Sequence, residues 1–506
     1  MRILLALLLC FSALFSATAK DSIVIAVENE AELINPVFSE DHDVAIGLIF
    51  SGLIRFDENM QVKPDLAKSW KISKDGLKYD FTLRENVLWH DGKKFSAQDV
   101  KFTLQALLDS KINAPSRVNF EAIKEIKILD DSHLSITLSY PFPAFLDALN
   151  IGIVPKHLLQ GEDFYTTSFN QNPIGTGPYK FASRKKGQHI ILEANEKFYL
   201  QKVKTKNLIL RHISDSTISA IELKKGNVDV SLVGFDFVKD FQNDKDFQVI
   251  IEKSADYRAL GFSQDDEILK DKNVRKALNH LIKKDSIVET LLHGYGEVAH
   301  HPLQRSWASP KNYPTYDFNP KKADKLLKKA GFVKKDGFYQ KDGKKLSFEM
   351  YAMSGDSLRV ALITLLQAEF QKYGIDAKAI AKPSGSFAYD EVQSALLGWG
   401  SPYDADFHTY RVFGYVDGVR PDWNFSNYKN DKVSKSLKQA RSTNNKAQRK
   451  KEYAKFINAL HEDPPFLFLV YLDFPLVANK EIKGIKTQIL GHHGVGFTWN
   501  AYEWSK

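Results

Sequence analysis

The feature that most limits the fold of this chain is a double change of texture. Up to about residue 264 it reads as short strands separated by turns. Ile23-Val24-Ile25-Ala26-Val27 is a continuous apolar run suited to a buried strand, and Tyr79–Arg84 alternates with the period of two of a half-buried one. Asp131–Tyr140 alternates again, with Leu134, Ile136 and Leu138 on one face. Ser96 followed by Asp99 is a capping-box variant that opens a helix over Val100, Thr103, Leu104 and Leu107. From 265 to 465 helical periodicity takes over. Asn273–Leu292 reads as one long helix. Asn319-Pro320 starts another, with Ala323, Leu326, Leu327 and Ala330 as its apolar stripe and Gly331 as its end. Leu358, Leu362, Leu366, Phe370 and Tyr373 form a third, closed by Gly374. The strand-like segments Leu346–Tyr351 and Ile375–Ile380 flank it and predict a β-α-β unit. After 465 strands return, Phe466–Tyr471 and then Phe474–Val477. The pattern predicts one lobe built from both ends of the chain, 20–264 (with an extra subdomain) and 466–506, and a second lobe, 265–465, inserted into it. Two crossings between lobes make a natural hinge.

The first nineteen residues stand apart. Arg2 supplies a positive start, Ile3–Phe15 is apolar except for Ser12, and Ala17-Thr18-Ala19 places small residues where a signal peptidase cuts. This is the pattern of a cleavable secretory signal peptide, 1–19, and the run of about thirteen residues falls short of the twenty that span a bilayer. Cys10 lies inside the apolar run, without the small residues that precede a lipid-modified cysteine. It is the only cysteine, so the exported part is expected to have no disulfide, no thiolate metal site and no cysteine nucleophile. The rest is ordinary for a globular protein, at 43% hydrophobic and 26% charged residues, and no later stretch is apolar enough to span a membrane. The formal net charge of +8 is a mild excess. Lys321–Lys329 interleaves lysine with leucine and alanine at helical spacing, which fits a solvated helix face and not a nucleic-acid stripe.

Several stretches look like motifs and also have plain structural readings. His90-Asp91-Gly92 fits a turn in which His90 satisfies buried polar groups. Gly175 and Gly177 fit a tight turn, and no Gly-Lys-Ser/Thr follows to make a phosphate cradle. Gly294-x-Gly296-x-x-Ala299 follows a helix, not a strand, so it is no dinucleotide fingerprint. Taken together, Tyr79–Thr103 (YDFTLRENVLWHDGKKFSAQDVKFT), Pro64–Trp70, Pro173–Lys180 (PIGTGPYK), Gly226-Asn227-Val228-Asp229, Val274–Leu278 and Tyr316–Gly331 resemble, in order, the blocks of the bacterial extracellular solute-binding proteins of family 5. These proteins carry dipeptides, oligopeptides or nickel chelates. The resemblance implies an α/β fold, a two-lobed periplasmic binding-protein clamshell of class II, peptide-binding-like type, with mixed sheets and a two-segment hinge.

It also implies a ligand cleft between the lobes, and directs attention to Gly398–Phe407, GWGSPYDADF. Family peptide binders follow a Trp-Gly with an aspartate that holds the peptide's amino terminus. Asp404 and Asp406 are both candidates, and sequence does not choose between them. Trp399, Gly400, Pro402, Tyr403 and Asp404 resemble the nickel branch more closely, where the matching Trp and Tyr contact a metal chelate. Imidazole suits nickel. His492-His493 in a Gly-flanked loop and His42 in Ser39–Asp43 are the candidate metal ligands, whereas His300-His301 precedes Pro302 without metal spacing. Asn150–Ile153 lacks an arginine to balance an anionic chelator, and Arg258 is the candidate substitute, with Tyr257 before it as a further candidate ligand contact.

The competing class is a secreted hydrolase. The chain has no H-E-x-x-H and no G-x-S-x-G, and His461-Glu462 runs into Asp463-Pro464-Pro465, which ends a helix. The expectation is therefore a periplasmic substrate-binding component of an ABC importer, not an enzyme. It captures a short peptide or a nickel chelate in the inter-lobe cleft for an inner-membrane permease and its ATPase subunits, the alternative being a protein specific for nickel as a nickel–histidine type chelate. It is expected to be monomeric, to bind no nucleic acid and to need no resident cofactor, nickel entering only as transported ligand. A chemoreceptor or adhesion role would use the same fold.

Overall fold

The computed structural model describes residues 21–39, 43–415 and 418–506. The expected signal peptide, 1–19, with Cys10, and the candidate ligand His42 lie outside these residues. The chain divides into two compact units, one from residues up to Glu252 together with Phe474–Lys506, the other Lys253–Asp473. Both divisions fall inside strands, Phe247–Phe262 and Phe466–Asn479, so positions 265 and 465 lie within the second unit.

The first unit is organised around the apolar strand Ser22–Val27. It pairs in parallel with Asn207–His212 along its whole length and, at Ile25, with Val230–Leu232. The sheet extends antiparallel through His189–Ala194 to Tyr179–Lys185 on one side, and to Leu476–Ala478 on the other. The returning carboxyl end thus completes the sheet begun by the amino end. A separate antiparallel sheet runs Ala67–Ile72, Lys78–Leu83, His133–Leu138, Ile123–Asp130. Helix Ala97–Leu108 opens with both halves of the Ser96/Asp99 capping box formed. His90 does what a buried neutral histidine can do. Its Nε2 donates to Gly177 O at 3.1 Å and its Nδ1 accepts from Gly175 N–H at 3.2 Å. Burial holds its pKa down at about 4. Cβ atoms at Gly175 and Gly177 would run into the backbone of Ile49, so both positions require glycine.

The second unit contains the expected β-α-β unit. Ser347–Met353 and Asp376–Lys382 are parallel, in register from Ser347↔Asp376, and are linked by helix Ser357–Lys372. Asp356 caps that helix by accepting from Arg359 N–H, and Gly374 ends it at φ +85°. Ser394–Trp399 joins in parallel beside Ser347–Met353 and antiparallel to Tyr257–Phe262. Helix Pro320–Lys329 starts under an Asn319 cap and buries Ala323 and Leu327. Two expectations are corrected. Asn273–Leu292 is not one helix but two, Lys272–His280 and Lys284–Thr290. The break leaves both Leu281 and Ile282 in the core. Phe466–Asn479 is one strand and not two. The chain enters this unit at Lys253 and leaves at Asp473, and these two residues meet, Nζ to Oδ2, at 2.6 Å. Arg305 Nη1 reinforces the spot by donating to the carbonyls of Ser254 and Leu472, 2.9 Å each.

Candidate functional site

The segment 398–407 leaves the strand Ser394–Trp399, turns, and enters helix Asp406–Phe413. Gly400 is needed at the turn because a Cβ there would collide with the Ala255 carbonyl. Its N–H donates to His408 Nδ1 at 3.0 Å, which makes that nitrogen the acceptor. Trp399 is partly buried within an aromatic array. It stacks on Trp423 (centroids 4.8 Å apart, planes at 25°) and lies near Phe425 and His408. Phe425 in turn stacks on Tyr389 at 5.2 Å. Arg411 lies over the Trp423 ring at 3.3 Å, a cation–π contact that fixes the indole. Tyr403 is half-buried, edge-on to Phe407 at 6.4 Å.

Asp404 and Asp406 are both buried and both held by arginine. Arg449 grips Asp404 with two parallel bonds, Nη1 to Oδ2 at 2.7 Å and Nη2 to Oδ1 at 2.5 Å. Arg441 holds Asp406 through Nε (3.2 and 3.1 Å) and Nη2 (2.7 Å). Burial works against the Arg449 charge, but the Asp404 carboxylate outweighs it, and the arginine pKa is raised. Nearby Tyr453 is pushed well above its usual value by burial and by these carboxylates. Both aspartates are thus committed within their own unit.

Tyr257, directly opposite Trp399 across the sheet, is fully buried in the core of the second unit. The next residue, Arg258, is 3% exposed. Its Nη1 donates to Asp256, and its Nε has no hydrogen-bond partner among the described residues. Arg359 is also buried. Its Nε lies 3.0 Å from Asp356 Oδ2 without pointing at it, and its Nη1 reaches the Tyr389 hydroxyl at 3.4 Å. Its pKa is lowered, first by burial and then by repulsion from Arg258. Two buried guanidinium groups therefore repel each other beside the aromatic array. Sequence reading missed Arg359, Trp423, Arg441 and Arg449. Pro421–Phe425 offers a signal in its clustered aromatics, but nothing local marks the arginines, which come from distant helices.

His492 and His493 are in the first unit. Their segment, Gly491–Val495, is a tight turn, with Gly491 N–H donating to Val495 O at 2.8 Å. His493 sits at φ 56°, and the two rings lie 4.0 Å apart. His493 Nδ1 is 3.8 Å from Glu28 Oε1. Among the described residues, no group of three or more His, Cys, Asp and Glu side chains is arranged to hold a metal ion.

The chain belongs to the bacterial extracellular solute-binding proteins, family 5, whose middle-region model matches residues 61–419. It is 59% identical to the solved structure of NikZ from Campylobacter jejuni in complex with Ni(L-His), covering 96% of this chain and 100% of that one, with a TM-score of 0.92. The oligopeptide-binding protein AppA of Bacillus subtilis (strain 168) is 29% identical over 92% of this chain and 88% of its own length. The nickel-binding periplasmic protein of Escherichia coli (strain K12) is 26% identical over 96% and 95%. The chain is accordingly a solute-binding protein of the ABC-transporter type, as the motif order implied. Among the described residues no helix is long and apolar enough to cross a membrane.

Proposed function

We propose that this protein works in the periplasm, where it binds nickel as a small amino-acid chelate of the Ni(L-His) kind and hands it to an inner-membrane permease without chemical change. The observation that carries the choice of cargo is the state of Asp404 and Asp406. A peptide's ammonium group needs a carboxylate with free lone pairs, and each of these is already gripped by an arginine. The buried guanidinium groups of Arg258 and Arg359 instead suit an anionic partner such as a chelator's carboxylate. Trp399, Trp423 and Tyr403 would wall the flat chelate. The Campylobacter relative solved with Ni(L-His) agrees with this reading. A chelate that brings its own donors asks few of the protein, and His492, His493 and His42 are the candidates to complete the metal's coordination.

Thermal melting of the mature protein tests the proposal, using nickel alone, nickel with free L-histidine, and a set of di- to nonapeptides. Nickel with histidine at about a hundred times its Kd should stabilise by about 2.7 kcal/mol, and peptides should leave the melt unchanged. A shift with peptides alone would reject the nickel reading. His492→Ala/His493→Ala should weaken chelate binding in the same assay, and an unchanged Kd would remove those two residues from the site.

A further inference from the structure

The first unit is close to neutral, with 34 Lys and Arg against 35 Asp and Glu, whereas the second carries 36 against 27. One module accounts for much of that excess. Residues 321–345 hold ten lysines and three aspartates, a net +7, in helix Pro320–Lys329 and a three-stranded meander, Val333–Lys335, Phe338–Lys341, Lys344–Lys345. All ten lysines are exposed. Asp336-Gly337 and Asp342-Gly343 take the left-handed backbone at both turns (φ 50° and 82°, 51° and 75°), the geometry of tight two-residue hairpins. The lysines beside the turns are therefore displayed on a rigid frame. Of the three aspartates, Asp324 is paired with Lys328 at 2.8 Å, so little of the field is cancelled locally. Val333 stands 60% exposed among these lysines.

Two ordinary explanations fall short. Lysines on an edge strand prevent sheets from pairing edge to edge, and this fits Lys334, Lys335, Lys344 and Lys345. It does not account for Lys321, Lys322, Lys325, Lys328 and Lys329 on the helix. A solubility role would spread charge over the surface, yet the first unit has none to spare. The choice of lysine over arginine is informative. Every basic residue of the module is lysine, a hydrated point charge without the planar fork that recognises a particular carboxylate or phosphate. Ten such charges with an exposed apolar side chain among them match a diffuse anionic surface and not a single complementary ion. Within the module the aromatic rings are buried or half-buried (Phe332, Phe338, Tyr339), and Phe318 beside its helix is a single exposed ring (43%), short of the row of rings on which a nucleic-acid groove stacks successive bases.

We propose that the 321–345 module docks this protein onto anionic phospholipid. For an exported protein this would concentrate it at the membrane face where a permease sits. The test is flotation of the mature protein with vesicles of pure phosphatidylcholine and with vesicles containing 30% phosphatidylglycerol, at low and high salt. Co-flotation is expected only with the anionic vesicles, and at least a tenfold loss is expected in 0.5 M NaCl, where screening shortens to a few Å. K334Q/K335Q/K344Q/K345Q should lose most binding. K111Q/K124Q/K127Q/K245Q in the first unit, with the same change in net charge, should keep it. Unchanged ligand-induced melting of both variants would establish that they are folded. Equal losses from both variants would mean that only net charge matters and would overturn the proposal. So would failure of the wild type to float, or binding to a soluble polyanion or an acidic protein but not to vesicles.

Discussion

At Asp404 and Asp406 every carboxylate oxygen meets a guanidinium N–H, and the two pairs lock helices Asp431–Arg441 and Lys446–Glu462 to the turn that follows Trp399. At Arg258 and Arg359, in the same unit, each guanidinium also has one aspartate beside it, Asp256 and Asp356, but the hydrogen bonding is incomplete. Two buried guanidinium groups repel each other, and neither Nε makes a hydrogen bond among the described residues. The residue types are the same in both clusters and the consequences differ. A closed ion pair is a structural rivet, because opening it strands a charge in a poorly hydrated place. An incompletely satisfied cationic cluster is itself costly, and a ligand anion would relieve that cost.

Opening the rivet should have the largest effect. Arg449→Ala leaves Asp404 buried and unpaired, and should cost about 3–5 kcal/mol of stability in chemical denaturation. Asp404→Ala/Arg449→Ala should cost clearly less than the sum of the single substitutions, because the stranded charge is gone. A loss below about 1 kcal/mol for Arg449→Ala would break the comparison and return Asp404 to the list of ligand carboxylates.

His90 sharpens the same point for a neutral group, since both ring nitrogens are satisfied only in the uncharged form. Its folded pKa of about 4 lies below the unfolded value of about 6.5. The unfolded chain therefore binds the proton first. The contribution is fully present above pH 6.5 and is lost as pH falls through 6.5 towards 4, reaching about 3 kcal/mol. Asp65 and Glu252, which burial raises to about 6 and 7, act in the opposite direction. The quantity to measure is accordingly the stability gap between wild type and His90→Gln. It should narrow as the pH is lowered from 7 to 4. A gap constant with pH would mean that folding leaves the imidazole pKa where it is in the unfolded chain, and a gap that widens towards acid would mean that the fold holds it protonated.

Local chemistry was legible in the sequence, and long-range pairing was not. The Ser96/Asp99 box, the Asn319-Pro320 start and the Gly374 stop all rest on signals within a few residues of one another, and all appear as read. The break at 281–283 was hidden because Leu281 and Ile282 continue an apolar pattern whichever way the backbone turns. Within 398–407 the position of Trp399 in an aromatic array could be anticipated. The state of Asp404 could not, because its partner lies 45 residues away on a helix whose lysine-rich sequence gives no sign that Arg449 alone points inward.

The open cluster yields the smallest but most discriminating prediction. Arg359 is the member that can be removed most cleanly, because its partner Asp356 is 20% exposed and also serves as a helix cap, so no buried charge is stranded. Losing Arg359 also relieves its repulsion with Arg258. Arg359→Met should therefore change stability by no more than about 1 kcal/mol. If the cluster receives a chelator's carboxylate, the same substitution removes a charge-assisted hydrogen bond worth about 1.5–3 kcal/mol. Affinity for nickel with L-histidine, measured by calorimetry, should then fall by roughly ten- to a hundredfold. Unchanged affinity would show that the guanidinium groups serve the fold alone. A stability loss as large as that of Arg449→Ala would show that the two clusters are the same kind of rivet after all.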